Sequence, residues 1–150
     1  MIDRRFIGWK SEPVVVEVEK GQLRLFAEAT GETNLIYFDE EAAKAAGHPS
    51  LPAPPTFAFC LFNLAGQPYS YLRLMGVDIA CLLHGEQAFE YLAPYYAGDA
   101  LTLATEIADI TTKKNGALDL VEARTDAINQ RGQLCVKQRT VLIVRNESKL

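Results

Sequence analysis

The most constraining stretch of this chain is PPTFAFCLFNLAG, residues 54–66. Phe57, Ala58, Phe59, Cys60, Leu61, Phe62 and Leu64 leave no polar face for water. A helix that is apolar all round is a buried helix. Pro55 suits the first turn of such a helix, where a missing N–H costs nothing. The rest of the chain must therefore supply a wrapper on every side.

The second half is that wrapper. HGEQAFEYL (84–92) reads as a strand ending before Pro94, and Ala97-Gly98-Asp99 reads as a turn. ALTLATEIADIT (100–111) runs into Lys113-Lys114-Asn115-Gly116, a hairpin signal. ALDLVEARTDAIN (117–129) turns at Asn129-Gln130-Arg131-Gly132 into QLCVKQRTVLIVR (133–145). Leu134, Val136, Thr140, Leu142 and Val144 share one parity of that last strand, hence one face of the sheet. Upstream, Val14–Val18 is β-branched and strand-like. Gly21–Ala29 has helical spacing and Gly31 at its end. Asp39 is placed to cap a short helix, EEAAKAA, that stops at Gly47. Antiparallel strands wrapped around one apolar helix make a single α+β domain over residues 1–150, with the shape of a hot-dog fold: a curled sheet around a long central helix. The open edges of such a sheet call for pairing, so a homodimer or heterodimer is expected.

Composition narrows the partners. The net charge is −4, which argues against nucleic acid and against anionic membrane surfaces. No apolar run approaches the roughly 20 residues that span a bilayer. MIDRRFIGWK has no apolar core of a secretory signal, so the expected compartment is the cytoplasm. Cys60, Cys81 and Cys135 are scattered among apolar neighbours and read as buried free thiols. With His48 and His84 as the only histidines and no Cys/His cluster, no metal site is indicated.

Four pieces carry a family resemblance: FAEATGETNLIYFDEEAAKAAG (26–47), LPAPPTF (51–57), LLHGEQAFEY (82–91) and AGD (97–99). In this order and spacing the chain resembles the MaoC-type hydratases and dehydratases, in the FAS1-like, N-terminal dehydratase branch, from about Ile7 to Arg145. The resemblance implies a hot-dog protein acting on acyl thioesters. It would interconvert (3R)-3-hydroxyacyl and trans-2-enoyl groups carried on coenzyme A or acyl carrier protein, with no cofactor. Active members carry G-D-x-N-P-x-H. Here Gly31 and Asn34 match, Glu32 stands for Asp, Leu35 for Pro, and Tyr37 for His.

Hydration of an enoyl thioester needs a base to activate water, an acid to protonate the α-carbon, and donors for the oxygen that gains charge. Glu32 can serve as base, although its extra methylene moves the carboxylate by about 1 Å, a displacement that can cost on the order of a hundredfold. Tyr37, with an ordinary pKa of about 10, is a donor and a poor base. Asn34 either holds the loop or makes only a local bond. By analogy with anion binding at helix starts, the amides around Pro55, Thr56 and Phe57 are candidate oxyanion donors, Pro55 itself having no N–H. His48 reads as an exposed loop residue that can reach the cleft mouth. His84 opens the HG-x-Q strand and reads as an orienting hydrogen-bonder. Phe57, Phe59, Leu61, Phe62 and the loop Gln67–Asp78, with Tyr69, Tyr71 and Met75 foremost, are candidates for shaping an acyl tunnel.

Three functions fit this pattern. The leading one is an (R)-specific hydro-lyase with an altered Glu32/Tyr37 site. The second is a non-catalytic, acyl-binding subunit paired with an active hot-dog hydratase, as in heterodimeric (3R)-hydroxyacyl-ACP dehydratases. This chain resembles such subunits in length, in AAKAAGHPSLPAPPTF (42–57) and in the missing His. The third is a hot-dog thioesterase with Glu32 activating water.

Overall fold

The computed structural model describes residues 1–66 and 69–146. Strand β1 (Val14–Glu17) leads into helix α1 (Lys20–Ala29), which Gly31 closes with φ +74°. Helix α2 (Glu40–Ala45) begins where predicted, with the Asp39 carboxylate accepting from the Ala42 amide at 2.7 Å. The central segment follows, as a 3-10 turn over Phe57–Cys60 continued by α3 (Leu61–Leu64). After α4 (Ser70–Leu74), strands β2 (Leu82–Tyr91), β3 (Ala100–Lys113), β4 (Leu118–Asn129) and β5 (Leu134–Arg145) complete one antiparallel sheet in the order β1-β3-β4-β5-β2. Both β1 and β2 are edges.

Parity decides what each strand buries. Val121, Ala123, Thr125 and Ala127 of β4, and Val136, Gln138, Leu142 and Val144 of β5, alternate inward. Phe57, Ala58 and Leu61 lie against Leu101, Leu103, Ala127 and Val136 in one apolar core. A second core joins Tyr71, Leu72, Ile107, Ile110, Val121, Leu142 and Val144. The α+β architecture is the one the pattern predicts.

The central helix differs from expectation. It is neither long nor covered on every side: Phe59 is 39% and Leu64 37% exposed. Nor does it begin at Pro55. The Phe57 amide donates to the Pro54 carbonyl at 3.1 Å, so residues 54–57 form a β-turn. Thr56, at φ 66° and ψ −8°, takes the third position of a type II turn. Proline is favoured at the second position for its fixed φ, and Pro55 serves there. The cysteines also differ: Cys135 is buried, whereas Cys60 and Cys81 are only half-buried.

Strand β2 carries a register shift between His84 and Glu86. A Cβ on the intervening Gly85 would lie 3.0 Å from Ile143 Cδ1 and from the Val141 carbonyl oxygen. Gly85 is exposed on this edge strand, but the Val141 oxygen is backbone and cannot step aside as a flexible side-chain end can. Gly85→Ala is expected to destabilise the protein by about 1–3 kcal/mol, read as a lower urea midpoint with an unchanged slope. An unchanged midpoint would show that the bulge can shift to accept it.

Candidate functional site

The loop after α1 is built by its own side chains. Glu32 Oε1 accepts from the amides of Thr33 at 2.8 Å and Asn34 at 2.9 Å. Asn34 Oδ1 accepts from the Ile36 amide at 3.2 Å, capping a 3-10 turn over Leu35–Tyr37. These backbone amides hold the Glu32 carboxyl below its usual range. That makes it a weaker base than an ordinary glutamate. Burial, and then the nearby Glu32 charge, push the Tyr37 phenol up, so it stays protonated at neutral pH.

Tyr37, His48 and Pro55 line one cleft of about 390 Å³, together with Tyr91 and Tyr95. His48 is half-buried with its ring 5.8 Å from that of Tyr96. Glu32, Asn34 and His84 do not line it. His84 sits exposed on β2, its ring edge-on to Phe59 at 5.4 Å. The cleft therefore gathers three phenols and an imidazole, with the motif carboxylate outside its wall.

The donors at the helix start are already engaged. The Thr56 amide donates to the Tyr91 hydroxyl at 2.8 Å, and the Phe57 amide to the Pro54 carbonyl. What faces the cleft from this turn is instead the Tyr91 hydroxyl. It accepts from Thr56 and keeps its own proton to donate. Sequence reasoning passed over Tyr91, although it ends the very strand that carried the resemblance. It also passed over Gln87, Thr105, Thr125 and Gln138, polar residues that line a small recess between sheet and central helix. The signal for Thr105, Thr125 and Gln138 was there: they hold inward-facing positions on otherwise apolar strands.

Of the loop Gln67–Asp78, Gln67 and Pro68 lie outside the described residues. Tyr69 and Tyr71 line that recess, and Met75 packs against the second core.

A five-stranded antiparallel sheet with its helix on one face makes a hot-dog protein, with a cleft at the helix start beside a G-x-x-N turn. The family model for the FAS1-like dehydratase domain region matches residues 5–138, and the chain belongs to that family. A UPF0336 protein of Streptomyces griseus is 38% identical over 146 residues, covering 96% of this chain and 95% of the relative. The HadBC (3R-hydroxyacyl-ACP dehydratase) complex of Mycobacterium tuberculosis has a chain that superposes with a TM-score of 0.79 at 28% identity, over 92% of this chain and 96% of that one. R-hydratase PhaJ1 of Pseudomonas aeruginosa shares the fold, with a TM-score of 0.69 at 20% identity over 94% and 83% of the two chains.

Proposed function

We propose that this chain is the acyl-binding, non-catalytic subunit of a heteromeric (3R)-3-hydroxyacyl thioester dehydratase, acting on CoA- or ACP-bound chains. The observation that carries this reading is the state of the motif: the Glu32 carboxylate is held by the amides of residues 33 and 34, and a protonated phenol, Tyr37, stands where the base should be. A general base needs a pKa near the working pH, and both groups are shifted away from it. The likeness to a chain of the HadBC complex, at 28% identity, supports pairing with a second hot-dog subunit. So does the β2 edge, where Leu83 and Tyr91, with Leu92 just beyond, are about half exposed. In this reading the partner supplies Asp and His, and this subunit supplies the acyl site. The thioesterase reading loses ground on the same observation, since Glu32 would have to be its base.

The test uses variants in the assembled dehydratase. Glu32→Gln and Tyr37→Phe are each expected to spare its turnover of a trans-2-enoyl-CoA. Loss of a general acid or base costs roughly 10²- to 10⁴-fold. A loss of that size in either variant would restore the altered motif as a working site.

One observation favours the other reading, a self-sufficient hydro-lyase: His48 and Tyr37 share the cleft wall. There His48 would be the base and Tyr37 the acid. Hydration by the chain alone that disappears in His48→Asn would establish it.

A further inference from the structure

A second site lies at the far end of the central helix. A groove of about 460 Å³ is lined by Trp9, Val14, Phe62 and Leu74, with the polar Glu12 and Ser70 also on its wall. It adjoins a recess of about 30 Å³ beneath the helix, sharing Phe62, Tyr69, Tyr71 and Thr105 with it. Neither shares a residue with the Tyr37–His48 cleft. The recess is large enough for one water-sized group, and it lies between the two apolar cores.

Its floor is polar and deeply buried. Thr105 and Thr125 are each 4% exposed and Gln138 is 3% exposed. Among the described residues, no acidic or basic side chain lines it. The threonine hydroxyls lie 2.9 Å apart, so one hydrogen joins them and the other has no acceptor among the described residues. Gln138 Nε2 donates one hydrogen to the Ala58 carbonyl at 3.1 Å, and its second has no acceptor among the described residues. Thr140 donates to Gln87 Oε1 at 2.8 Å, turning the Gln87 amide toward Gln138 Oε1, which it meets only at 3.5 Å. Two neighbouring groups, the threonine pair and the Gln138 amide, thus carry surplus hydrogens, and neither carries charge. Buried donors without acceptors are costly. What such a recess lacks is a neutral oxygen.

We infer that the groove and recess together bind an acyl chain bearing a neutral oxygen function, a keto or hydroxyl group, partway along its length. The alkyl portion lies in the groove along Phe62 and Leu74. The oxygen enters the recess and accepts from the Thr105/Thr125 pair and from Gln138. An unsubstituted chain leaves those donors to a trapped water. The inference rests on the acyl-binding reading and adds to it a preference among chains. The recess rejects carboxylates by the same logic, because no cation balances them there.

The test is a binding comparison with the purified chain, together with its hot-dog partner where one co-purifies. The probes are dodecanoyl-CoA and dodecanoyl-CoA analogues with a single keto group moved stepwise along the chain. Binding is followed calorimetrically and through Trp9, the chain's one tryptophan, which lines the groove. One keto position is expected to bind about tenfold more tightly than the plain chain, the worth of one well-made buried hydrogen bond. The isosteric Thr105→Val/Thr125→Val variant is expected to erase that preference, as is Gln138→Leu, with folding of each checked by melting. Plain chain bound, with no keto position better, would overturn the inference and leave the recess holding a water only. Failure of every chain to bind would overturn the acyl-binding reading itself, and this inference with it.

Discussion

Phe57→Ala is expected to be among the most destabilising single substitutions in this protein. The side chain is 2% exposed, and its ring meets Phe26 edge-on at 5.4 Å. It sits where the 54–57 turn becomes helix and packs against both α1 and the sheet. Truncating a buried phenylalanine removes its transfer free energy and leaves a cavity, together about 3–5 kcal/mol. For a chain of this length each kcal/mol lowers Tm by about 2–4 °C, so a drop of roughly 10 °C is expected. Phe57→Leu should recover most of it. A fall of only a degree or two in the alanine variant would mean that the central segment does not anchor the fold.

Asp119→Ala should cost nearly as much, by a different mechanism. This carboxylate is fully buried. It accepts from the Ile2 amide at 2.6 Å, from Thr112 Oγ1 at 2.6 Å and from Asn146 Nδ2 at 3.0 Å. It thereby ties both ends of the described chain to the middle of the sheet. Removing it strands three donors, and breaking such a site costs about 3 kcal/mol or more. Burial raises the Asp119 pKa, but the hydrogen bonds outweigh it and the net shift is downward. The sign follows. A carboxyl whose folded pKa is depressed adds stability above its unfolded pKa, and that stability is lost as pH falls through the folded value. The native protein should therefore exceed Asp119→Asn in Tm at neutral pH. The gap should close as pH drops below about 4. A gap that stays constant down to pH 3 would contradict the ionised assignment.

Much of the fold was legible because strands report their environment directly. The parity of Val136, Leu142 and Val144 named the buried face of β5, and Asn115-Gly116 marked the β3–β4 hairpin, where Lys114, Asn115 and Gly116 all have positive φ. Asp39 announced α2 through a local bond three residues long. The central segment was misread because a run with no polar face carries no mark of where a helix starts or stops. Its true start depends on Thr56 being held at positive φ, with its amide on Tyr91, 35 positions away in sequence. A β-branched residue avoids that conformation, and no local pattern could have predicted it.

The candidate cleft was legible in part. It lies where the motif and the helix start pointed, and Tyr37, His48 and Pro55 meet there. The direction in which the Glu32 carboxylate turns was not readable. A loop glutamate is equally able to face a cleft or to bind the next two amides, and here it binds the amides. His84 carried the resemblance yet lies outside the cleft. Its neighbour Gly85 explains more of that stretch, through the close approach of β5 at the bulge.

The most direct test of a non-catalytic acyl-binding subunit is hydration of crotonyl-CoA and a longer trans-2-enoyl-CoA. The protein is assayed first alone, then with a hot-dog partner that carries an intact G-D-x-N-P-x-H motif. The chain alone is expected to show no hydration, and turnover once the partner is present is expected to survive Glu32→Gln in this subunit. Hydration by the chain alone that is lost in Glu32→Gln would contradict the non-catalytic reading and make the altered motif a working catalyst.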